Sequence, residues 1–338
     1  MDMARNYKYD NLKALLIFLV VFGHVLESVP GEYRRIIYLT IYTFHMPMFI
    51  YISGYFSKTT VKNTTSYIYI YIIWQTFCLL TDKYILHQSV SFDYFRPNWL
   101  MWYVFSLIIW SLAIRLFKHI PDKYCLVCVA LSFGVSILAG FVDRLGYYFS
   151  ASRTITFFPY FLLGYFSRNK GLELFELKIG DKKGSAYKVG LFAAAGLMSA
   201  VYFIRRINGI NASWLYGSYS YAAGGYTFKF KTMWILLSLS EIFVLNNTIP
   251  NKKCGFISKL GRNTLTIYLV HGLFLKLLRP YGGVIFAHGE LCNLIIALLL
   301  SAAIVLVLGS DFIKNKLAYL TSYEKASRAV REQLARWK

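Results

Sequence analysis

Acidic residues are scarce in this chain. Only 16 Asp and Glu stand against 37 Lys and Arg in 338 residues, and charged residues of either sign make up 16% of the whole, where a soluble domain carries about 25%. That is too little charge to cover a water-facing surface, which excludes an ordinary soluble enzyme. A composition that is 57% hydrophobic and 18% aromatic excludes disorder as well. Cysteine is sparse too. The five, Cys78, Cys125, Cys128, Cys254 and Cys292, are scattered, which excludes a disulfide scaffold. Cys125 and Cys128 have the spacing of a zinc or redox pair, but they sit in an apolar stretch with no second pair nearby. They read as helix-packing thiols, and no metal is expected. What remains is apolar sequence, recurring from Leu12 almost to Phe312 with a mean hydropathy of +0.46.

Such runs point to an all-α polytopic membrane protein. At ~20 residues per span, the length holds about ten helices. They are expected over 12–29, 36–56, 66–86, 99–117, 124–142, 153–166, 186–204, 232–245, 265–278 and 291–313. The segments 153–166 and 232–245 are short for a ~30 Å core and read as broken helices lining a cavity. The basic start followed by 12–29 reads as a retained first span rather than a cleaved leader. A formal charge of +21 would suggest nucleic acid in a soluble protein. Here the cations gather in every second loop: Arg5 to Lys13, Lys58 and Lys62, Lys118 and Lys123, Arg168 to Lys188, Lys252 to Arg262, and Lys314 onward. The positive-inside rule then puts both termini in the cytoplasm. The charge reports topology and contact with anionic inner-leaflet lipid, and no nucleic-acid partner is expected. The chain divides into a membrane domain over 1–321 and a basic amphipathic tail over 322–338. In the tail Ala326, Val330, Leu334 and Trp337 share one face, with Lys325, Arg328, Arg331, Arg336 and Lys338 around them. The Gly/Tyr/Ser-rich stretch 208–227 is the longest external loop, placed to cover a polar ligand.

Ionisable side chains inside hydrocarbon cost several kcal/mol and mark functional candidates. Four matter: His24, His45, Arg153 and His271. Eleven positions after Lys13, His24 sits ~16 Å above the cytoplasmic edge. His45, on the returning helix, lies within one or two helical turns of it in height, so the two rings can face one cavity. A neutral imidazole there is available as a base. For each histidine the competing assignment is a packing residue bonded to a backbone carbonyl. Arg153 suits either a ligand carboxylate or hydroxyl, or a structural ion pair with Glu27 or Asp143.

The motifs around these residues carry a resemblance. Tyr9-Asp10-Asn11-Leu12-Lys13 with ten residues between Lys13 and His24 resembles the start of the acyltransferase-3 family of integral-membrane O-acyltransferases. Phe44-His45-Met46-Pro47-Met48-Phe49 and Ile52-Ser53-Gly54-Tyr55-Phe56 are similar to its second-helix motif in the fucose-4-O-acetylase-like branch. Arg153 with Phe158 to Tyr165 resembles the mid-chain helix of that branch, and Gly261-Arg262-Asn263 through His271 its late helix. The resemblance implies an enzyme of about ten helices in the bacterial plasma membrane. It would take an acyl group, usually acetyl, from cytoplasmic acyl-CoA and place it on a hydroxyl of a cell-surface polysaccharide or its lipid-linked precursor. It implies no bound cofactor, with acetyl-CoA as the donor substrate. His24 would be catalytic, with His45 beside it. Lys13, Lys58, Lys62 and Arg262 would form the cationic mouth for the CoA phosphates. Some members carry an Arg-x-x-Arg pair after the second helix, where this chain has Lys58 and Lys62.

Acyl transfer also needs oxyanion donors, for which His45, Ser53 and Asn11 are candidates, and an acceptor channel, to which Arg153 and His271 would contribute. Either His24 deprotonates the acceptor in a ternary complex, or a histidine carries the acyl group transiently. The rival class is a transporter of a glycolipid or small solute, since midplane polar residues also suit alternating access.

Overall fold

The computed structural model describes residues 6–178 and 180–336. Among the described residues there is no strand. The longer helices, in chain order, are α1 (Tyr7–Leu26), α2 (Glu32–Phe56), α3 (Val61–Leu80), α4 (Met101–Phe117), α5 (Cys125–Ala139), α6 (Ala151–Asn169), α7 (Lys182–Arg206), α8 (Phe228–Thr248), α9 (Gly255–Arg262), α10 (Thr264–Leu278), α11 (Glu290–Leu308) and α12 (Tyr323–Arg336). Side-chain caps begin several of them. Asn6 accepts from the Lys8 amide, Thr60 from that of Asn63, and Thr227 from that of Phe230, each filling one of the orphan donors of a first turn.

Every expected segment falls on a helix, from α1 to α8 and then α10 and α11. Among the described residues, five stretches are long and apolar enough to cross a membrane: Tyr7–Leu26, Glu32–Phe56, Asp122–Ala139, Lys182–Gly209 and Glu290–Leu308. The segments 153–166 and 232–245 depart from expectation. They are continuous helices of 19 and 21 residues, neither short nor broken. Several of the polar residues in and beside these runs find partners inside the bundle. Thr154 Oγ1 meets Ser106 Oγ at 2.8 Å, and Lys231 Nζ donates to the Ser136 carbonyl at 2.6 Å and to Thr156 Oγ1 at 3.1 Å. Hydropathy counts such groups as water-seeking when the neighbouring helix supplies their partners.

The most extensive contact is α2 against α6, and two glycines permit it. A methyl group on Gly54 would fall on the Phe161 carbonyl, and one on Gly164 on the Tyr51 carbonyl. The two backbones touch reciprocally, the close approach that small residues allow between membrane helices. Around this pair α1 packs on α2, α9 and α11, α8 on α2 and α7, α4 on α3 and α6, and α5 on α6. The apolar faces of α5, α7 and α11 look outward, with Leu131, Leu138, Leu197, Ile204, Leu291 and Leu299 exposed. So much bare hydrocarbon would aggregate in water and is at home in lipid.

Contacts define two ends of the bundle. At one end Tyr9 meets Phe56, Asn11 bonds the 250–252 turn, and Lys62 pairs with Glu324 at 2.6 Å. At the other, Glu27 pairs with Arg279 and Arg35 bonds the carbonyls of Ile207, Asn208 and Ile210. Helix α12 is held at the first end through Tyr323 against Tyr69, 5.7 Å between centroids, and the Lys62 ammonium holds the Glu324 carboxyl below its ordinary pKa. Val330 and Leu334 are exposed on it. Arg5, Trp337 and Lys338 lie outside the described residues.

Replacing Gly164 by Val should lower the melting temperature of the detergent-purified protein, at a cost of about 1–3 kcal/mol from overpacking. Gly190→Ala on the open face of α7, where a methyl meets nothing within 4 Å, should leave it equal or slightly higher. Equal melting temperatures for both variants would show that the α2–α6 contact is looser than described.

Candidate active site

His24 sits on the last turn of α1, and what surrounds it comes from the helix ends at that side of the bundle. Three residues on, and so on the same helix face, Glu27 reaches back: His24 Nδ1 and Glu27 Oε1 are 2.7 Å apart. Glu27 is held from two more directions. The guanidinium of Arg279, at the end of α10, binds Oε2, and the Tyr42 hydroxyl of α2 donates to Oε1 at 3.4 Å. With Nδ1–H donated to a fixed carboxylate, the neutral ring keeps its lone pair on Nε2.

His24, His45 and Arg153 line one cavity of about 270 Å³, together with Glu27, Tyr42, Trp99, Tyr216 and Tyr268. The two imidazoles therefore share a space, as their heights along α1 and α2 require. Tyr42 stands between them, its ring centroid 6.4 Å from His24 and 4.6 Å from His45. His45 Nδ1 donates to the Ile41 carbonyl at 2.7 Å, which leaves its Nε2 as an acceptor. His271, fully buried on α10, does the same to Ile267 at 3.0 Å. Its ring centroid is 5.8 Å from that of His24, and its Nε2 has no partner.

Arg153 makes neither of its expected ion pairs; Arg279 takes Glu27. The Arg153 guanidinium lies over the rings of Trp102 and Tyr147, 5.2 and 5.5 Å from their centroids. Its Nε is buried without a partner, and no carboxylate pairs with it among the described residues. A desolvated cation held by aromatic faces keeps its hydrogen-bonding edge for a ligand.

One wall of the cavity is strained. Trp99 has φ of 31°, a costly conformation for a bulky side chain that persists only when its neighbours over-determine it. They do so here. The Asn98 amide donates to Asp82 Oδ2 at 2.6 Å, and Lys276 Nζ bonds both Asp82 oxygens, at 2.6 and 2.8 Å, and Asn98 Oδ1 at 2.8 Å. On the other side the Leu100 carbonyl accepts from the Tyr268 hydroxyl. The pinned Trp99 ring stands 5.0 Å from His24 and 5.1 Å under the Arg279 guanidinium.

The remaining candidates lie deeper or at the opposite end. Ser53 bonds Tyr103 at 2.5 Å, and the Tyr103 ring is 5.3 Å from that of Tyr268, which lines the cavity. Asn11, about 20 Å along α1 from His24, uses its amide structurally: Nδ2 donates to the Pro250 and Lys252 carbonyls, and Oδ1 accepts from Ser258 at 2.7 Å. Lys13 pairs with Asp10 at 3.1 Å and lies 5.6 Å over the Phe56 ring. Arg168 covers the other side of Phe56 at 5.1 Å and Tyr55 at 5.5 Å. Lys58, Lys62 and Arg262 are exposed at this same end. The structure thus gathers His24, His45, His271 and Arg153 around one space and keeps the basic candidates together at the other end.

Sequence reading passed over Glu27 as the partner of His24, although the His-x-x-Glu spacing on a helix was its signal. Arg279, Trp99 and Asp82 offered none, because they meet the site only through tertiary contacts.

Comparison with known proteins fits this arrangement. Residues 6–311 match the family described as Acyltransferase domain. Nodulation protein NolL of Sinorhizobium fredii is 39% identical over 66 residues, 18% of this chain and 18% of its own length. No solved structure matches. A family match that takes in α1 through α11 and every residue of the cavity shows that this chain belongs to the acyltransferase-3 family of membrane acyltransferases.

Proposed function

We propose that this protein is an O-acetyltransferase of the bacterial plasma membrane, in the fucose-4-O-acetylase-like branch of its family. It moves acetyl from cytoplasmic acyl-CoA to a hydroxyl of a cell-surface polysaccharide or its lipid-linked precursor. The observation that carries this reading is the His24–Glu27 pair, oriented by Arg279 and Tyr42, on the same cavity as an arginine with no carboxylate partner. Ten helices span the bilayer, both termini are cytoplasmic, and α12 lies on the anionic inner leaflet.

In this mechanism the acceptor enters from the outer end and its hydroxyl meets His24 Nε2. The imidazole takes the hydroxyl proton as the oxygen attacks the thioester carbonyl, and Glu27 balances the imidazolium that forms. The C–S bond breaks, and the thiolate of CoA takes the proton from His24. His45 Nε2, left as an acceptor, takes a hydrogen bond from a hydroxyl of the acceptor sugar, and Arg153 holds further hydroxyls or a carboxylate of it. The donor comes from the opposite end. Lys13 and Arg168, stacked on Phe56, with Lys58, Lys62 and Arg262 near by, bind the CoA phosphates. The Tyr103 and Tyr268 rings occupy the path between that mouth and the cavity. Their displacement past Ser53 admits the pantetheine arm.

His24→Ala should reduce transfer of radiolabelled acetyl from acetyl-CoA by at least about 100-fold while the protein still inserts and purifies as the wild type does. Near-normal transfer would falsify the base assignment. Glu27→Gln should lower kcat by about 10- to 100-fold with KM for either substrate nearly unchanged, since Glu27 orients the base rather than touching substrate. A change confined to KM would remove Glu27 from this role. Lys13→Ala should raise the KM for acetyl-CoA several-fold with little effect on that for the acceptor, and an unmoved acetyl-CoA KM would place the donor mouth elsewhere.

A further inference from the structure

A second cavity, about 260 Å³, opens at the same end of the bundle as the His24 cavity but shares no lining residue with it. It lies between the end of α7, the start of α8 and the segment that joins them. Its floor is aromatic: Trp214 and Tyr226 stack at 5.8 Å with 25° between planes, and Phe230 meets Trp214 edge-on at 5.1 Å. The Trp214 indole is locked by donating Nε1–H to the Gly224 carbonyl at 2.6 Å, so it presents a fixed face. Above this floor stand two exposed guanidinium groups, Arg205 and Arg206, the latter 4.9 Å over the Tyr202 ring. The lining contains no carboxylate, and neither arginine has an ion-pair partner among the described residues.

The cavity is built rather than incidental. Arg35 of α2 fixes its rim by donating to the Ile207, Asn208 and Ile210 carbonyls at 2.8, 3.0 and 3.0 Å. One turn further along α2, the Tyr38 hydroxyl bonds that of Tyr216 at 2.7 Å, and Tyr216 lines the His24 cavity. The turn Ala212–Tyr216 is therefore a partition, with Trp214 on one side and Tyr216 on the other. One residue, Leu215, lies between them, so their backbones are at most ~7 Å apart.

We infer that this second cavity is a binding subsite for an anionic saccharide unit, so that the acceptor is an oligomer of which one unit meets His24 while another rests on Trp214 under Arg205 and Arg206. A rigid aromatic floor suits the C–H face of a pyranose ring, and two unpaired guanidinium groups select a carboxylate or phosphate on it. The inference rests on the reading of the first cavity as an acceptor site for glycan O-acetylation.

The test is isothermal titration of the purified full chain in detergent, without acyl donor. The probes are tetragalacturonic acid, α2,8-linked trisialic acid and neutral maltotetraose. At least one acidic probe should bind about tenfold more tightly than maltotetraose. The double variant Arg205→Ala, Arg206→Ala should weaken that binding about tenfold, with partial recovery when both positions are Lys. If neither acidic probe binds, or the double variant binds as well as the wild type, the assignment is overturned. Short-chain phosphatidylglycerol that binds there more tightly than any saccharide would make it a lipid headgroup site and overturn it equally. Because no donor is present, the two readings separate. A chain that binds the probe but transfers no acetyl keeps this subsite and loses the reading of the first cavity; one that transfers acetyl but binds no probe does the reverse.

Discussion

Glu27 ties together more of this molecule than any other side chain at its end of the bundle. It bonds His24 within α1, Tyr42 on α2 and Arg279 beyond α10, so three segments far apart in sequence converge on one carboxylate. A half-buried charge of this kind is tolerable only while its partners stay in place, because removing any one of them leaves desolvated charge behind. That requirement fixes the register of α1 against α2 and α10 at the level of His24. The α2–α6 glycine contact serves the same end from the other side, by bringing Arg153 across from His45.

The cavity is made of parts that each break a local rule. Trp99 adopts a backbone conformation its side chain disfavours. His271 buries a ring nitrogen without a partner, and Arg153 a guanidinium nitrogen. Other buried polar atoms also lack partners, among them Tyr9 Oη, Arg115 Nε and Asn246 Oδ1, while Asn11, Lys231 and Thr154 find theirs. At the cavity itself, the unpartnered Arg153 nitrogen is hydrogen-bonding capacity that a polar ligand would complete.

Much of the helical order was legible in the sequence because apolar runs report it directly. Even 265–278, too short to be obvious, fell on α10. That His24 and His45 stand at matching heights on their helices was legible as well, since a rise per residue converts position into height. Helix length failed at α6 and α8 because hydropathy cannot know that Lys231 will find the Ser136 carbonyl. The orientation of His24 by Glu27 was written in the i, i+3 spacing. That of Glu27 by Arg279 was not, because 252 positions separate them and nothing local marks the pairing. Asn11 shows the opposite error. A polar residue beside a motif invited a chemical role, yet its amide closes a turn that only the folded chain brings near.

The bond between Asp82 and Lys276 carries a consequence for biogenesis. These residues stand 194 positions apart, so the ribosome delivers α3 long before α10. Until the later helix arrives, the acidic side chain lacks the ammonium that it meets in the folded chain. The strained Trp99 corner has nothing to lean on during that interval. Arrival of α10 thus both supplies that ammonium and sets the tryptophan wall beside His24, so that the cavity is completed only once residues 264–278 have been made.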